Sequence, residues 1–307
     1  MITLRFLALP ALLAAVPALS FAQQAVDTAF NATVLRPAFA AGTGPVIVFD
    51  EAHGTFHRAE RSYGAFTRLL RRDGYVVRVN ASPFTRDALD SARVLVIVNP
   101  LHPSNQHDWY LPTPSAFTPD EIRTVAEWVA TGGSLLLIAD HMPFAGAAEN
   151  LAAAFGIFFA NGFAFDSSLS PLDLVFRRSD GSLASHPITN GRGPGERIDS
   201  IVTFTGSAFR VLVPAEPLVL LPPNLTVLMP EEAWLFSKRT PRLSAAGMLQ
   251  GAVLRHGRGR VAVFGEAAMF SAQFIGTPRR PMGMNAPAAH QNAQFVLNVI
   301  HWLTDTR

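Results

Sequence analysis

The sequence predicts an α/β fold in which helices cover both faces of a doubly wound, mostly parallel sheet that carries a β-rich insertion. Short, continuously apolar runs are typical of strands buried on both faces, and three of them occupy residues 45–50, 94–98 and 134–140. Helical repeats of apolar residues separate these runs. Because strands that alternate with helices pair in parallel through crossover connections, this order of segments favours a parallel sheet.

The remaining elements complete this alternation. They are a helix at 56–70 that Gly74 ends, a strand at 75–79, a helix that Gly132 ends, an Ala-rich helix at 146–155, a hairpin at 251–264 and a closing helix through Phe295, Val299 and Trp302. The helix before Gly132 has the best-marked start. Thr118 is a predicted N-cap, Pro119 stands at the first helical position and Glu121 at the third, which together form a capping box.

The chain divides into a leader, an arm and one domain. Residues 1–22 have the form of a signal peptide, because a basic start precedes an apolar run and small residues stand before a cleavage site near Ala22. The run is too short and too interrupted by proline for a stable membrane span, so the leader predicts a periplasmic or secreted protein. Residues 23–44 form an N-terminal arm, and residues 45–307 form a single domain with an irregular, β-rich insertion at 156–245.

Composition excludes several classes of function. The chain of 307 residues has 25 basic and 23 acidic side chains, and its net charge of +2 gives no electrostatic basis for nucleic-acid binding. Without cysteine it has no thiol nucleophile and no disulfide. The sequence contains neither a GxxxxGK[ST] loop, a flavin motif nor a G-x-S-x-G elbow, which argues against a nucleotide or flavin cofactor and against an α/β-hydrolase serine.

Acids and imidazoles follow four predicted strands, at the point where each strand ends. In open parallel sheets, ligands bind beyond the carboxyl ends of the strands, so we predict a small-molecule site at this edge. The candidate catalytic residues are Asp140, His141 and Glu266. The candidate ligand-binding residues are Asp50, Glu51, Asn99 and His102, and the candidate ligands of a divalent metal such as zinc are His53 and His57.

The chemistry of each group suggests its role. The Asp140 carboxylate could orient the His141 imidazole for acid–base work, and the first amides of the following helix could hold an anion. His53 and His57 are four residues apart and share a face if the helix starts early. Each group also has a structural interpretation, in which the acids cap helices or stabilise turns and the histidines are partly exposed.

Several segments resemble a known domain family. They are VIVFDEAHG, VLVIVNP, GGSLLLIADH, GRGRVAVFGEAAMFS and NAQFVLNVIHWL. These segments, in residues 45–160 and 248–305, are similar to the DUF4350-type, class I glutamine-amidotransferase-like domains, and HPITNG resembles a motif of ThuA-like proteins. The resemblance implies a flavodoxin-like fold. It does not imply glutaminase activity, because His141 stands at the turn where glutamine amidotransferases carry their cysteine nucleophile.

Three functions remain open at this point. The first is a hydrolase-like enzyme without a cysteine nucleophile, with or without a metal ion, that acts on a polar or carbohydrate-like substrate. The second is a non-catalytic module of the cell envelope that binds a ligand or a partner. The third is a purely structural role in an envelope assembly. An enzyme predicts acid and imidazole groups within hydrogen-bond reach in a closed cleft, whereas a binding module predicts aromatic side chains that face solvent in an open groove.

Overall fold

A nine-stranded sheet forms the centre of the fold. The computed structural model describes residues 24–165 and 173–305, so the predicted signal peptide lies outside the described residues. The strands are β1 (Ala25–Val26), β2 (Val46–Asp50), β3 (Val76–Asn80), β4 (Val94–Val98), β5 (Ser134–Ile138), β6 (Ile157–Ala160), β7 (Phe163–Phe165), β8 (Leu174–Arg177), β9 (Ser200–Thr203), β10 (Ala208–Val211), β11 (Glu216–Leu220), β12 (Thr226–Leu228), β13 (Arg242–Ser244), β14 (Leu249–His256), β15 (Gly259–Phe264), β16 (Ala272–Ile275) and β17 (Arg280–Gly283). The helices are α1 (Gly64–Arg72), α2 (Arg86–Asp90), α3 (Pro119–Ala130), α4 (Phe144–Ala153), α5 (Pro187–Asn190) and α6 (Asn292–Thr304).

The central sheet has a parallel side and an antiparallel side. Its strand order is β3-β2-β4-β5-β15-β14-β10-β6, and β11 also pairs with β14. The first five strands pair in parallel with their neighbours. The other four pair antiparallel, beginning with the hairpin of β15 and β14. A mixed α/β fold around a large sheet with a parallel half is therefore confirmed.

Helices cover both faces of the parallel half. Because side chains alternate along a strand, Ile47 and Phe49 of β2 join one hydrophobic cluster and Val48 joins another. Helices α1 and α6 contribute to the first cluster, and α2, α3 and α4 contribute to the second. Burial of a side chain the size of leucine contributes roughly 1.5–3 kcal/mol, so these two clusters hold the carboxyl edge of the sheet in place.

Several predicted elements are confirmed. The strand at 94–98 is β4, and the closing helix is α6. Helix α3 begins after Thr118 with both halves of the predicted capping box, since the Thr118 hydroxyl accepts from the Glu121 amide and the Glu121 carboxylate accepts from the Thr118 amide. The predicted hairpin forms between β14 and β15 and turns at residues 257–258.

The predicted helix at 56–70 is wrong in its first half. Helix α1 begins only at Gly64, and turns occupy most of the preceding residues. The Glu51 carboxylate accepts hydrogen bonds from the Ala59 amide and the Arg58 guanidinium, and these bonds favour the turn over a helical start. Because this segment is not helical, the helical spacing that would have aligned the two predicted metal ligands does not apply to it.

The predicted insertion is β-rich, and part of it extends the central sheet. Strands β6, β10 and β11 lie in that sheet, whereas β7, β12 and β13 form a separate three-stranded sheet and β8 pairs with β9. Ile157, Phe159 and Phe209 of β6 and β10 join the hydrophobic cluster that α3 and α4 cover. This part of the insertion is therefore an edge of the core.

The N-terminal arm is fastened to α1 by arginine side chains. Arg68 donates to the carbonyl oxygen of Phe30 over 3.1 Å, and Arg72 donates to that of Ala32 over 3.0 Å. The carboxylate of Asp73, which follows α1, accepts from the Ala38 amide over 2.8 Å. Strand β1 also pairs with β16.

None of the helices in the described part of the chain combines the length and apolar character that crossing a membrane requires.

Candidate functional site

The carboxyl ends of the parallel strands bring several predicted site residues to one edge. Asp50 ends β2, Asn99 follows β4, Asp140 follows β5 and Glu266 follows β15. Direct contacts connect three of these ends. The Asn99 side-chain oxygen accepts from the Asp140 amide over 2.9 Å, and the Asp140 carboxylate accepts from the Ala267 amide over 3.3 Å. The side chains at this edge of the sheet form two separate groups with different surroundings.

The first environment is a buried network of Asp50, His53 and Glu121, which we call the His53 network. The Nδ1 of His53 donates to Asp50 Oδ2 over 2.9 Å, and its Nε2 donates to Glu121 Oε1 over 2.8 Å. The imidazole also packs against the rings of Phe84 and Phe117, whose centroids lie 4.3 and 4.8 Å away. A histidine that donates from both nitrogens to two carboxylates is an imidazolium.

The carboxylates of the His53 network are themselves fully hydrogen-bonded. The oxygens of Glu121 accept further bonds from the Phe84 amide and from the amide and hydroxyl of Thr118. Burial alone would raise the pKa of Glu121, but these hydrogen bonds and that from His53 outweigh it and lower the pKa to about 2. Burial likewise opposes the charge on His53, but hydrogen bonds and charges from Asp50 and Glu121 raise its pKa.

The contacts of His53 give no support to its predicted role as a metal ligand. A metal needs an imidazole nitrogen with a free lone pair, and both nitrogens of His53 carry protons toward carboxylates. Within residues 24–165 and 173–305, no group of three or more His, Asp or Glu side chains is arranged to hold a metal ion.

His57 lies apart from this network. It is buried beside Tyr63, whose ring centroid is 4.6 Å from its own, and burial lowers its pKa to about 3. Its Nδ1 has no hydrogen-bond partner among the described residues, and the same holds for the hydroxyl of nearby Thr55. His57 is thus a neutral imidazole without the neighbouring ligands that the predicted metal site requires.

The structure does not bring the Asp140 carboxylate to the imidazole of His141. The Asp140 carboxylate accepts from the backbone amide of His141 over 2.7 Å, and the imidazole turns away to donate from Nδ1 to the Met142 carbonyl oxygen over 2.7 Å. Adjacent side chains at this turn point apart, so the carboxylate does not orient the ring. Asp140 remains half-buried at the edge of the sheet.

The amides that begin α4 are largely occupied as well. The Phe144 amide donates to the His141 carbonyl oxygen over 3.0 Å, and the Gly146 amide donates to the Asn161 side chain over 2.9 Å. Helix starts bind anions through amides that have no partner in the chain. The predicted anion site at this helix start is therefore not supported.

The second environment surrounds His141 with aromatic rings, and we call it the aromatic region. The His141 ring stacks on Phe163 at a centroid distance of 4.4 Å and meets Trp234 edge to face at 4.8 Å. Trp109 lies 6.1 Å away and contacts Phe56 at 5.6 Å. Both tryptophans are partly exposed, and 45% of the surface of Phe56 is exposed.

Two backbone segments position the tryptophans of the aromatic region. The Ala233 amide donates to the Trp109 carbonyl oxygen, and the Leu111 amide donates to the Glu231 carbonyl oxygen, so residues 109–111 and 231–233 lie side by side. Trp234 follows with a φ of +68°. A bulky residue in this left-handed region is strained, and such strain persists where the surroundings fix the side chain, as they commonly do at functional sites.

Glu266 is completely buried. Its carboxylate oxygens accept from the amides of Ala268 and Met269, each over 2.8 Å. Burial is the main reason that the pKa of Glu266 is raised well above its usual range, and the nearby charge of Asp140 adds to the effect. The side chain therefore stabilises the turn after β15 and reaches no solvent in this conformation.

The remaining predicted ligand-binding residues have structural contacts. Glu51 holds the turn before α1, and Asp50 belongs to the His53 network. Asn99 is buried against the Asp140 amide, and His102 accepts from the Ser104 amide at the start of a short 3-10 helix. The sequence analysis did not predict Glu121, Trp109 or Trp234 as site residues. It identified Glu121 only as the third residue of α3 in the capping box.

Comparisons with known proteins support the fold. No protein-family description and no curated protein matches the sequence. The mmIFT52 N-terminal domain is 15% identical and aligns over 84% of this chain and 97% of that domain, with a TM-score of 0.58. A cytoplasmic protein from Salmonella typhimurium LT2 is 16% identical over 85% of this chain and all of its own, with a TM-score of 0.51. At these identities the likeness shows the α/β fold alone.

A further solved structure has a more distant likeness. A protein from Bacteroides uniformis ATCC 8492 that is described as ThuA-like is 13% identical and aligns over 89% of this chain and 94% of its own, with a TM-score of 0.47.

Proposed function

We propose that the protein binds a small polar, carbohydrate-like molecule in the aromatic region at the carboxyl edge of its sheet. The observation that supports this function is the set of partly exposed aromatic rings, Trp109, Trp234 and Phe56, around or next to the ring system of His141. Sugars have apolar faces and polar edges, so aromatic rings next to an imidazole are suited to both. The exposure of these rings favours a binding module over an enzyme with a closed cleft.

A hydrolase-like reaction is a second candidate, and it rests on Asp140 and Glu266. Two neighbouring carboxyl groups in different environments, one buried and one open to solvent, are typical of acid–base pairs. Glu266 has a raised pKa and Asp140 is the more exposed of the two. In this candidate mechanism Asp140 takes a proton from an attacking water molecule. Glu266 requires a movement of the turn after β15 before it could donate a proton to the leaving group.

Binding is tested by titration of the protein with maltose, cellobiose, chitobiose and glycerol, followed by calorimetry. We expect saturable binding of at least one saccharide, and we expect Trp109→Ala and Trp234→Ala each to weaken it by about tenfold or more. Trp302→Ala is the matched control, because that indole is also partly exposed but packs against Arg260 and His186 instead. Equal losses in all three variants, or no saturation with any probe, would contradict the proposal.

The reaction is tested separately with nitrophenyl glycosides and esters. If the protein hydrolyses one of them, Asp140→Asn is expected to lower kcat about 10²- to 10⁴-fold, as loss of a general base does. Saccharide binding without hydrolysis of any of these compounds would favour the non-catalytic binding module over the hydrolase-like enzyme.

We also propose the doubly wound, flavodoxin-like arrangement and membership of the DUF4350-type, glutamine-amidotransferase-like domains. In support, the parallel strands β2, β3, β4 and β5 lie in the order second, first, third, fourth, and helices lie on both faces. Export to the periplasm is a further proposal that rests on the leader sequence. Mass spectrometry of the protein from a periplasmic fraction is expected to give a chain that begins at Gln23, whereas an intact Met1 would contradict cleavage.

A further inference from the structure

A cavity of about 460 Å³ lies between the N-terminal arm and α1, and its lining includes no residue of the aromatic region or the His53 network. Its lining residues are Asn31, Ala41, Arg68, Arg71 and Arg72. The cavity is open to solvent, and its volume falls within the range of about 300–1,000 Å³ that is usual for small-molecule sites. The arm forms one side of the cavity and the helix forms the other.

The three arginines give this cavity a positive charge that the protein neutralises only in part. Arg71 and Arg72 stand three and four residues after Arg68 on α1, so both lie next to it on the helix surface, where like charges repel. Arg71 pairs with Glu60. Within the described residues, neither Arg68 nor Arg72 has a carboxylate within 4.0 Å.

Fastening of the arm uses only part of the hydrogen-bonding capacity of these side chains. Arg68 donates from Nη2 and Arg72 from Nη1 to carbonyl oxygens of the arm. Their other guanidinium donors have no hydrogen-bond acceptor in the described residues, and the Asn31 side chain has none either. A guanidinium has five donors in a fixed fork, so several remain for a ligand.

We propose that this cavity binds a phosphate-bearing small molecule. Guanidinium groups bind phosphate through paired, charge-assisted hydrogen bonds, and an anion would add counter-charge beside Arg68 and Arg72 to that of Glu60. The carboxyl end of α1 carries a partial negative charge of about half an elementary charge, which would repel an anion. The two positive charges of Arg68 and Arg72 are larger, so the net attraction for an anion remains. Because Asn31 and Ala41 belong to the arm, the bound phosphate would also hold the arm against the helix.

The proposal is tested by calorimetry with glycerol 3-phosphate at constant ionic strength, with sodium chloride as the reference. We expect saturable binding to the wild-type protein. In Arg68→Gln/Arg72→Gln we expect affinity to fall by about tenfold or more, whereas Arg86→Gln/Arg239→Gln, which removes the same charge from exposed positions elsewhere, should leave it unchanged. Binding that does not exceed the chloride reference, or that survives loss of Arg68 and Arg72, would overturn the proposal.

A second pair of variants guards against an effect of the arginine substitutions on folding. Asn31 is exposed and does not take part in fastening the arm, so its substitution leaves those contacts intact. Asn31→Asp places a carboxylate in the cavity and should weaken glycerol 3-phosphate binding by about tenfold, and by more than Asn31→Ala does. Equal affinity for Asn31→Asp and Asn31→Ala would contradict a phosphate site.

A phosphate group could come from a soluble ester or from a lipid headgroup, and flotation with vesicles separates the two. Binding to vesicles of phosphatidylcholine with phosphatidylglycerol, but not to pure phosphatidylcholine, would identify a lipid headgroup. Binding of glycerol 3-phosphate without flotation would identify a soluble ester. Both results depend on the same arginines, and absence of both overturns the proposal. None of these outcomes bears on saccharide binding in the aromatic region.

Discussion

The His53 network and the aromatic region lie at the same edge of the sheet but differ in how their polar groups are satisfied. In the His53 network, both imidazole nitrogens and the oxygens of Asp50 and Glu121 have partners. In the aromatic region, the structure gives a partner for the Nδ1 of His141, and partly exposed indoles surround the ring. The polar groups of the His53 network are therefore occupied by one another and by backbone amides, whereas the aromatic region has side chains that a ligand could contact.

This difference shows that a cluster of acids and histidines is not by itself a catalytic site. Buried charges are tolerated where each is paired and hydrogen-bonded, and removal of one partner then leaves a costly buried charge. The His53 network is therefore a part of the scaffold that connects the end of β2 to the start of α3. The aromatic region is where function is to be sought.

The largest expected effect tests the scaffold role of the His53 network. Glu121→Ala removes the acceptor for His53 Nε2 and for two backbone amides, so the free energy of unfolding should fall by about 3–5 kcal/mol in urea denaturation. Glu127→Ala, which removes an exposed acid from the same helix, should change it by less than about 0.5 kcal/mol. Similar losses in the two variants would show that the network is not part of the scaffold.

The pH dependence of the free energy of unfolding also tests the scaffold role of the His53 network. Glu121 has a folded pKa of about 2, below its unfolded value of 4.5, so its contribution is present above pH 4.5 and is lost as the pH falls toward 2. His53 has a raised folded pKa, so its contribution is present below pH 6.5 and is lost as the pH rises through the folded value.

Urea denaturation of the wild type and Glu121→Gln from pH 3 to pH 9 measures this dependence. The difference between the two proteins isolates the network from the other titrating groups. We expect this difference in stability to be largest between about pH 4.5 and pH 6.5. A difference that is constant over the whole range would contradict the paired imidazolium.

A smaller effect is expected at the cap of α3. Thr118→Ala removes the hydroxyl that accepts from the Glu121 amide and donates to its carboxylate, so the free energy of unfolding should fall by about 1 kcal/mol. Thermal unfolding monitored by circular dichroism measures this loss. Thr124→Ala, in the interior of the same helix, is the control, and an equal change in the two variants would argue against the cap.

The smallest effect on stability is expected at Asp140, which precedes His141 of the aromatic region. Asp140→Asn keeps the shape of the side chain and an oxygen for the His141 amide, and it removes only the 3.3 Å contact with the Ala267 amide, so the free energy of unfolding should change by about 1 kcal/mol or less. If Asp140→Asn destabilises the protein as much as Glu121→Ala does, both regions are scaffold and the distinction between them fails.

The sequence predicted those features that depend on local chemistry. The buried strand at Val94–Val98 and the capping box at Thr118 follow from a continuous apolar run and from three adjacent residue types. The contact between His53 and Glu121 spans 68 positions in the chain, and no local pattern encodes it. The aromatic region was missed for the same reason, since Trp109 and Trp234 come together only where residues 109–111 lie beside residues 231–233.

The central claim is that the aromatic region, and not the His53 network, is the ligand site, and the indole N–H signals of the protein test it most directly. The four tryptophans are Trp109, Trp128, Trp234 and Trp302, and their signals can be assigned by single Trp→Phe variants. During titration with the saccharides, we predict that the signals of Trp109 and Trp234 shift and saturate while those of Trp128 and Trp302 stay in place. Shifts confined to Trp128 or Trp302, or no shift in any of the four, would contradict the claim.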